Sequence, residues 1–195
     1  MHAFRTDSLE TEIIDRALVI RFTRPEIRNP LSVAVLGSVN EIIEACAVSK
    51  DIKKVVFTGA DDVFASGADL REIADIDQRD AANFARRGQD LMSRITSLPQ
   101  VIIAAINGYC FGGALDLALA CKRRIASSNA TFSHPGVGLG IITGWGGTQR
   151  LPRLVGEAKA LEIFLTAKRI NADEALRIGL IDKIADDPLA ESLAN

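Results

Sequence analysis

Gly112-Gly113 followed by Asp116 is a spacing suited to proton chemistry. The apolar run Val101 to Ile106 reads as a buried strand, and Ala114 to Ala120 reads as a helix. The Gly-rich turn between them therefore feeds a helix N-terminus, where backbone N–H groups lack partners and carry partial positive charge. Glycine lets a ligand oxygen approach those groups closely. Such a place can hold a developing oxyanion, with Asp116 in the first helical turn to transfer a proton beside it. A second segment complements the first. Val55 to Gly59 reads as a buried strand and Ala60 to Phe64 as a loop. Ala65-Ser66-Gly67-Ala68-Asp69-Leu70 then leads into another helix start. Two small-residue turns, each after a strand, can aim two N–H groups at one oxygen.

Other residues carry weaker signals. Asp116 has a second reading, because an acidic residue in the first turn is favoured by the helix dipole and can simply cap it. His134 can titrate near neutral pH, although a histidine preceding proline also reads as a packed loop residue. His2 is terminal. Trp145, the single tryptophan, reads either as a pocket wall or as core. Cys46, Cys110 and Cys121 sit in apolar surroundings and read as reduced, buried thiols. Gly136-Val137-Gly138-Leu139-Gly140 lacks the preceding strand and following helix of a dinucleotide fingerprint. No His, Cys and carboxylate cluster has metal-ligand spacing.

The elements that must position these residues alternate. Ile13 to Thr23 reads as strand material with a turn near Asp15-Arg16. Ser32 N-caps a helix to Val48 whose apolar positions are Val35, Leu36, Val39, Ile42, Ile43 and Cys46. Asp80 to Leu98 is a second amphipathic helix, ended by Pro99. Arg123 to Ala126 is a short strand, and Glu157 to Thr166 is helical. Asn171 to Glu174 has the pattern of a capping box before Ala175 to Ile178. This order predicts a mixed α/β fold, with residues 1–195 as a single domain and its core at about 13–184.

Composition narrows the class. With 48% hydrophobic and 25% charged residues, the chain reads as one soluble globular domain with a sizeable core. A net charge of −2 without a long basic run argues against a nucleic-acid partner. No apolar run reaches membrane-spanning length, and Met1 to Asp7 holds no apolar signal core, so the expected location is cytoplasmic, with no membrane partner.

Several motifs in order resemble the crotonase (enoyl-CoA hydratase/isomerase) family. They are Arg24-Pro25-Glu26-Ile27-Arg28-Asn29-Pro30, the two small-residue turns, and Gly138-Leu139-Gly140-Ile141-Ile142. Gly146-Gly147-Thr148-Gln149-Arg150-Leu151, Leu165 to Ile170, Glu174-Ala175 and Gly179-Leu180-Ile181 complete the series. The resemblance implies a β-spiral of repeated ββα turns with surrounding helices, acting on an acyl-CoA thioester. Coenzyme A enters as part of the substrate, and no tightly bound cofactor is expected. The oxyanion donors are then the backbone N–H groups of Ala68 and Gly113, with Asp116 as the acid/base. Arg24, Arg28, Ala65, Gly67, Asp69 and Leu70 flank the coenzyme, and Gly112, Gly136 and Trp145 join the substrate-binding set.

The chain departs from the family pattern in two places. Hydratases of the family use two glutamates, for which this chain has Asp116 and Gly136. With one shorter carboxylate, isomerisation, thioester hydrolysis or decarboxylation needs less equipment than hydration. Dihydroxynaphthoyl-CoA synthases also carry a glycine at the second position, but their Ser and Asp further along correspond to Ile141 and Thr143. A degraded member that binds coenzyme A without turnover is the non-enzymatic alternative. The second departure is that only Ala185 to Asn195 follow Ile184, where family members continue into C-terminal helices that help build a homotrimer or hexamer.

Overall fold

The computed structural model describes residues 4–194, so His2 lies outside the described residues. Twelve strands are present among them: β1 Leu9–Ile14, β2 Ala17–Phe22, β3 Pro30–Leu31, β4 Lys54–Thr58, β5 Val63–Ala65, β6 Gly67–Ala68, β7 Val101–Ile106, β8 Tyr109–Phe111, β9 Arg123–Ala126, β10 Thr131–Ser133, β11 Ile170–Asn171 and β12 Lys183–Ile184. The helices are α1 Val33–Ala47, α2 Leu70–Ala74, α3 Ala81–Ser97, α4 Gly113–Ala120, α5 Gly147–Val155, α6 Glu157–Thr166, α7 Ala172–Arg177 and α8 Pro188–Ala194.

A six-stranded sheet runs β1-β2-β4-β7-β9-β12, and a four-stranded sheet runs β11-β10-β8-β5. Each of the pairs β4/β5, β7/β8 and β9/β10 gives its first strand to the larger sheet and its second to the smaller one. That repeat is the expected spiral, with β7, β8 and α4 forming a complete ββα turn. Apart from the β1–β2 and β10–β11 pairings, the ladders within these two sheets are parallel.

Period-2 alternation divides the core. Val55 and Phe57 of β4, with Ile102, Ala104 and Ile106 of β7, face the main cluster. Val56, Ile103, Ala105 and Ile125 face the opposite side, where Leu189 and Leu193 of α8 pack over them. Lys54 Nζ donates to the Ser192 and Leu193 carbonyls at 2.8 and 3.1 Å, satisfying acceptors at the end of α8.

Side-chain caps start α1 and α7. Ser32 Oγ accepts from the Val35 N–H at 3.2 Å, and Asn171 Oδ1 accepts from the Glu174 N–H at 2.8 Å. Several expectations need correction. Val63 and Phe64 are not loop but belong to β5, and the Gly-rich turn does not pass straight into a helix because β8 intervenes. The short strand β10 and the helices α5 and α8 add to the elements that the sequence pattern predicts.

Candidate functional site

Two asparagines bring the small-residue turns together. Asn107 Oδ1 accepts from the Gly59 N–H at 2.9 Å, while its Nδ2 donates to the Asp61 carbonyl at 2.9 Å. Gly108 follows because a Cβ there would stand 1.7 Å from the Asp62 carbonyl oxygen. Asn29 is buried and fastens the other side. Its Oδ1 accepts from the Arg24 N–H at 2.6 Å, and its Nδ2 donates to the Val63 and Phe64 carbonyls at 3.0 and 3.1 Å. Asn29 lies in the Arg24 to Pro30 motif and Asn107 directly follows the apolar run Val101 to Ile106. Their signal was a side chain able to mimic a backbone turn next to glycine or proline.

The consequence is a close approach of two backbones. Gly67 has φ +93°, and a Cβ on it would lie 2.8 Å from the Gly113 nitrogen. Gly112, at φ +54°, donates its N–H to the Ser133 carbonyl at 2.9 Å, and α4 begins at Gly113. Both positions use the backbone freedom of glycine.

A pocket of about 390 Å³ opens here. Ala68, Leu70, Gly112, Gly113, Gly136 and Trp145 line it, together with His134 and Thr143. Leu139, Ile141, Ile142, Ile73, Ile76 and Phe84 make much of the remaining wall apolar. No Asp or Glu is among its lining residues.

The other candidates lie elsewhere. Ala65 and Gly67 are buried and do not line the pocket. Asp69 caps α2 through its acceptance of the Arg71 N–H at 3.0 Å, and an ion pair with Arg71 holds its carboxyl below the usual range. Arg24 pairs with Glu26, and the Arg28 guanidinium lies 5.5 Å from the centre of the Tyr109 ring.

Asp116 is wholly buried behind the pocket wall. Thr143 Oγ1 donates to its Oδ2, while Oδ1 has no hydrogen-bond partner and lies 3.6 Å from His134 Nε2. A Cβ at Gly147 would come within 2.1 Å of Oδ1, so the start of α5 closes tightly against the carboxyl. Burial pushes the carboxyl up to about 7, against the lowering effects of the Thr143 hydrogen bond, Arg150 and the Trp145 N–H. Burial pushes the His134 imidazole down to about 4. The cysteine thiols are also raised by burial, Cys46 to about 11 and Cys121 to about 12, which removes thiolate character at neutral pH.

Paired strands wound through two sheets, with a mainly apolar pocket where their turns converge, define the crotonase class of fold. The chain belongs to the enoyl-CoA hydratase/isomerase family, whose description matches residues 12–193. It is 39% identical over 183 residues to a crotonyl-CoA hydratase of Syntrophomonas wolfei, covering 93% of this chain and 70% of that protein. It is 40% identical over 172 residues to a short-chain-enoyl-CoA hydratase of Clostridium acetobutylicum, covering 88% and 66% respectively. The solved structure of Pseudomonas aeruginosa DspI superposes with a TM-score of 0.92 at 36% identity, covering 97% of this chain and 78% of that one. The chain therefore spans about two thirds of the length of those two hydratases.

Proposed function

We propose that the pocket takes an acyl-CoA thioester and stabilises its enolate, as an enoyl-CoA hydratase/isomerase-type enzyme. The observation that carries this is the approach of Gly67 to the Gly113 nitrogen at the pocket, which sets Ala68 and Gly113 side by side. Their N–H groups hold the thioester oxygen. Preorganised donors of this kind each contribute about 3 kcal/mol where water is excluded. Removing a proton from the carbon next to the carbonyl then leaves charge on an oxygen already solvated by the protein. Asp116 is the proton store, raised into the range where it both gives and takes a proton near neutral pH.

Loss or transfer of one proton suits this site better than addition of water. Its lining holds no carboxylate to activate water, and Gly136 has no side chain to supply one. Double-bond isomerisation is accordingly favoured within the family's chemistry. A homotrimer or hexamer is part of the same reading, resting on family resemblance alone, and light scattering of the intact protein tests it. The functional test pairs calorimetry with turnover over short 2-enoyl-, 3-enoyl- and saturated acyl-CoA thioesters. Interconversion of the two enoyl isomers is expected, with slower hydration. Binding of all three without turnover contradicts the enzymatic reading.

A further inference from the structure

Asp116 is fully buried and is not among the residues that line the pocket, whereas His134 and Thr143 are. Thr143 is committed to Oδ2 as a donor. His134 is different. Its Nε2 is buried without a hydrogen-bond partner and faces the equally unpartnered Asp116 Oδ1 across 3.6 Å. That separation is slightly beyond hydrogen-bond reach, and catalytic contacts commonly tighten when substrate binds. His134 also lines the pocket, and with Nε2 facing Asp116, Nδ1 is the ring nitrogen outside that contact. The Phe164 ring, with its centre 5.0 Å from that of the imidazole, packs against the histidine.

We infer that His134 relays protons between a substrate in the pocket and Asp116, so that the imidazole touches the reacting atoms and the carboxyl stores the proton. As the substrate C–H bond breaks, its electron pair stays on the enolate and the proton bonds to Nδ1. The Nε2–H bond breaks in the same passage and that proton bonds to Asp116 Oδ1. The imidazole ends neutral, as it began, in its other tautomer. Returning a proton to a different carbon reverses both transfers. No charge is left on the ring, consistent with a site whose burial opposes an imidazolium.

The charged and titratable groups around the pair are few. Arg150 of α5 acts on Asp116 through space, and the Cys110 thiol of β8 is itself affected by the Asp116 charge. Arg150 favours the ionised carboxylate, whereas desolvation favours the protonated form and dominates.

The identity of the proton donor rests on the acyl-thioester reading, but the tautomer switch does not. Nitrogen NMR of the ¹⁵N-labelled, ligand-free protein therefore tests the relay separately. His134→Gln identifies the His134 signals by their loss, since His2 is the other histidine. The expected result is a neutral ring from about pH 5 to about pH 9, protonated on Nδ1 at the acid end and on Nε2 at the alkaline end. The exchange should centre near 7, where Asp116 titrates. Asp116→Asn should hold one tautomer throughout. A single tautomer across the range in the unaltered protein, or imidazolium formation near neutral pH, overturns the relay. Turnover supplies the second measurement. His134→Gln and Asp116→Asn should each lower it roughly 10²-fold, with the double variant little worse than either. Full turnover by His134→Gln overturns the relay as well. If no thioester is turned over, the acyl-thioester reading fails by itself and the NMR result still decides the relay.

Discussion

Gly113 lies directly against the indole of Trp145: a Cβ at residue 113 would stand 2.3 Å from Cζ3 and 2.5 Å from Cε3. The opposite edge of the same ring meets Gly88 of α3, where a Cβ would be 2.1 Å from Cδ1. The indole is thus wedged between two helices, with glycine on each. The residue proposed to bind the thioester oxygen and the residue walling the pocket are packed as one unit. Gly113→Ala should displace the ring, at a cost of about 1–3 kcal/mol for overpacking. Because the chain has a single tryptophan, its fluorescence reports the displacement without ambiguity. An unchanged emission spectrum with an unchanged melting temperature contradicts the packing described.

Asn29→Ala removes the clamp on the turn before β6. The Val63 and Phe64 carbonyls and the Arg24 N–H all lose a partner. The Val63 carbonyl keeps Asn107 Nδ2 at 3.2 Å, but loss of the Asn29 bonds to the other groups should cost about 1–3 kcal/mol, and Ala at φ +48° adds strain. Chemical denaturation checks the loss. A denaturation midpoint equal to that of the unaltered protein indicates that the clamp is dispensable.

Gly136→Glu tests whether the second carboxylate can simply be restored. Positive φ is not the obstacle, since Gly136 is absent from the residues with that conformation. Crowding is: a Cβ at Gly136 would lie 2.7 Å from the Ile141 carbonyl oxygen, which closes the loop over it. The variant should melt at a lower temperature and gain no hydration activity. A rise in hydration of a short enoyl-CoA at undiminished stability shows that the loop accommodates the side chain.

The buried acid and imidazole leave opposite marks on stability. Asp116 is raised from 3.8 to about 7 on folding, so its contribution is fully present below pH 3.8 and is lost as pH rises through about 7. That loss is on the order of 4 kcal/mol. His134 is lowered from 6.5 to about 4, so its contribution is present above pH 6.5 and is lost as pH falls through about 4. Between those limits the two slopes oppose each other. Asp116→Asn should expose the histidine slope, with stability rising between about pH 4 and about pH 6.5. His134→Gln should expose the aspartate slope, with stability falling between about pH 4 and about pH 7. Urea unfolding at several pH values gives both, and identical profiles in the three proteins contradict the assignment.

Long periodic segments were readable in the sequence. The apolar positions of α1 and the continuous apolar runs of β4 and β7 leave little choice of element. The strands β5, β8 and β10 span three residues each, too few for alternation to show, and β8 also hides inside a Gly-rich run. Pro152 and the glycines at its start disguised α5. The turns around Ala68 and Gly113 were legible because small residues after a strand are needed where backbones approach. The meeting of Asp116 with His134 and Thr143 was not. It depends on Gly147 of α5 closing against the carboxyl, a contact made by tertiary packing between residues distant in sequence.

The proposed chemistry depends on polarisation of a thioester carbonyl by the Ala68 and Gly113 N–H groups. Isotope-edited infrared spectroscopy of a short enoyl-CoA, carbon-13 labelled at the thioester carbonyl and bound to the protein, tests it most directly. Two donors on the oxygen should draw electrons toward it, weaken the C=O bond and move its stretching band below the frequency in water. A bound thioester whose carbonyl band remains at or above its value in water rules out that polarisation.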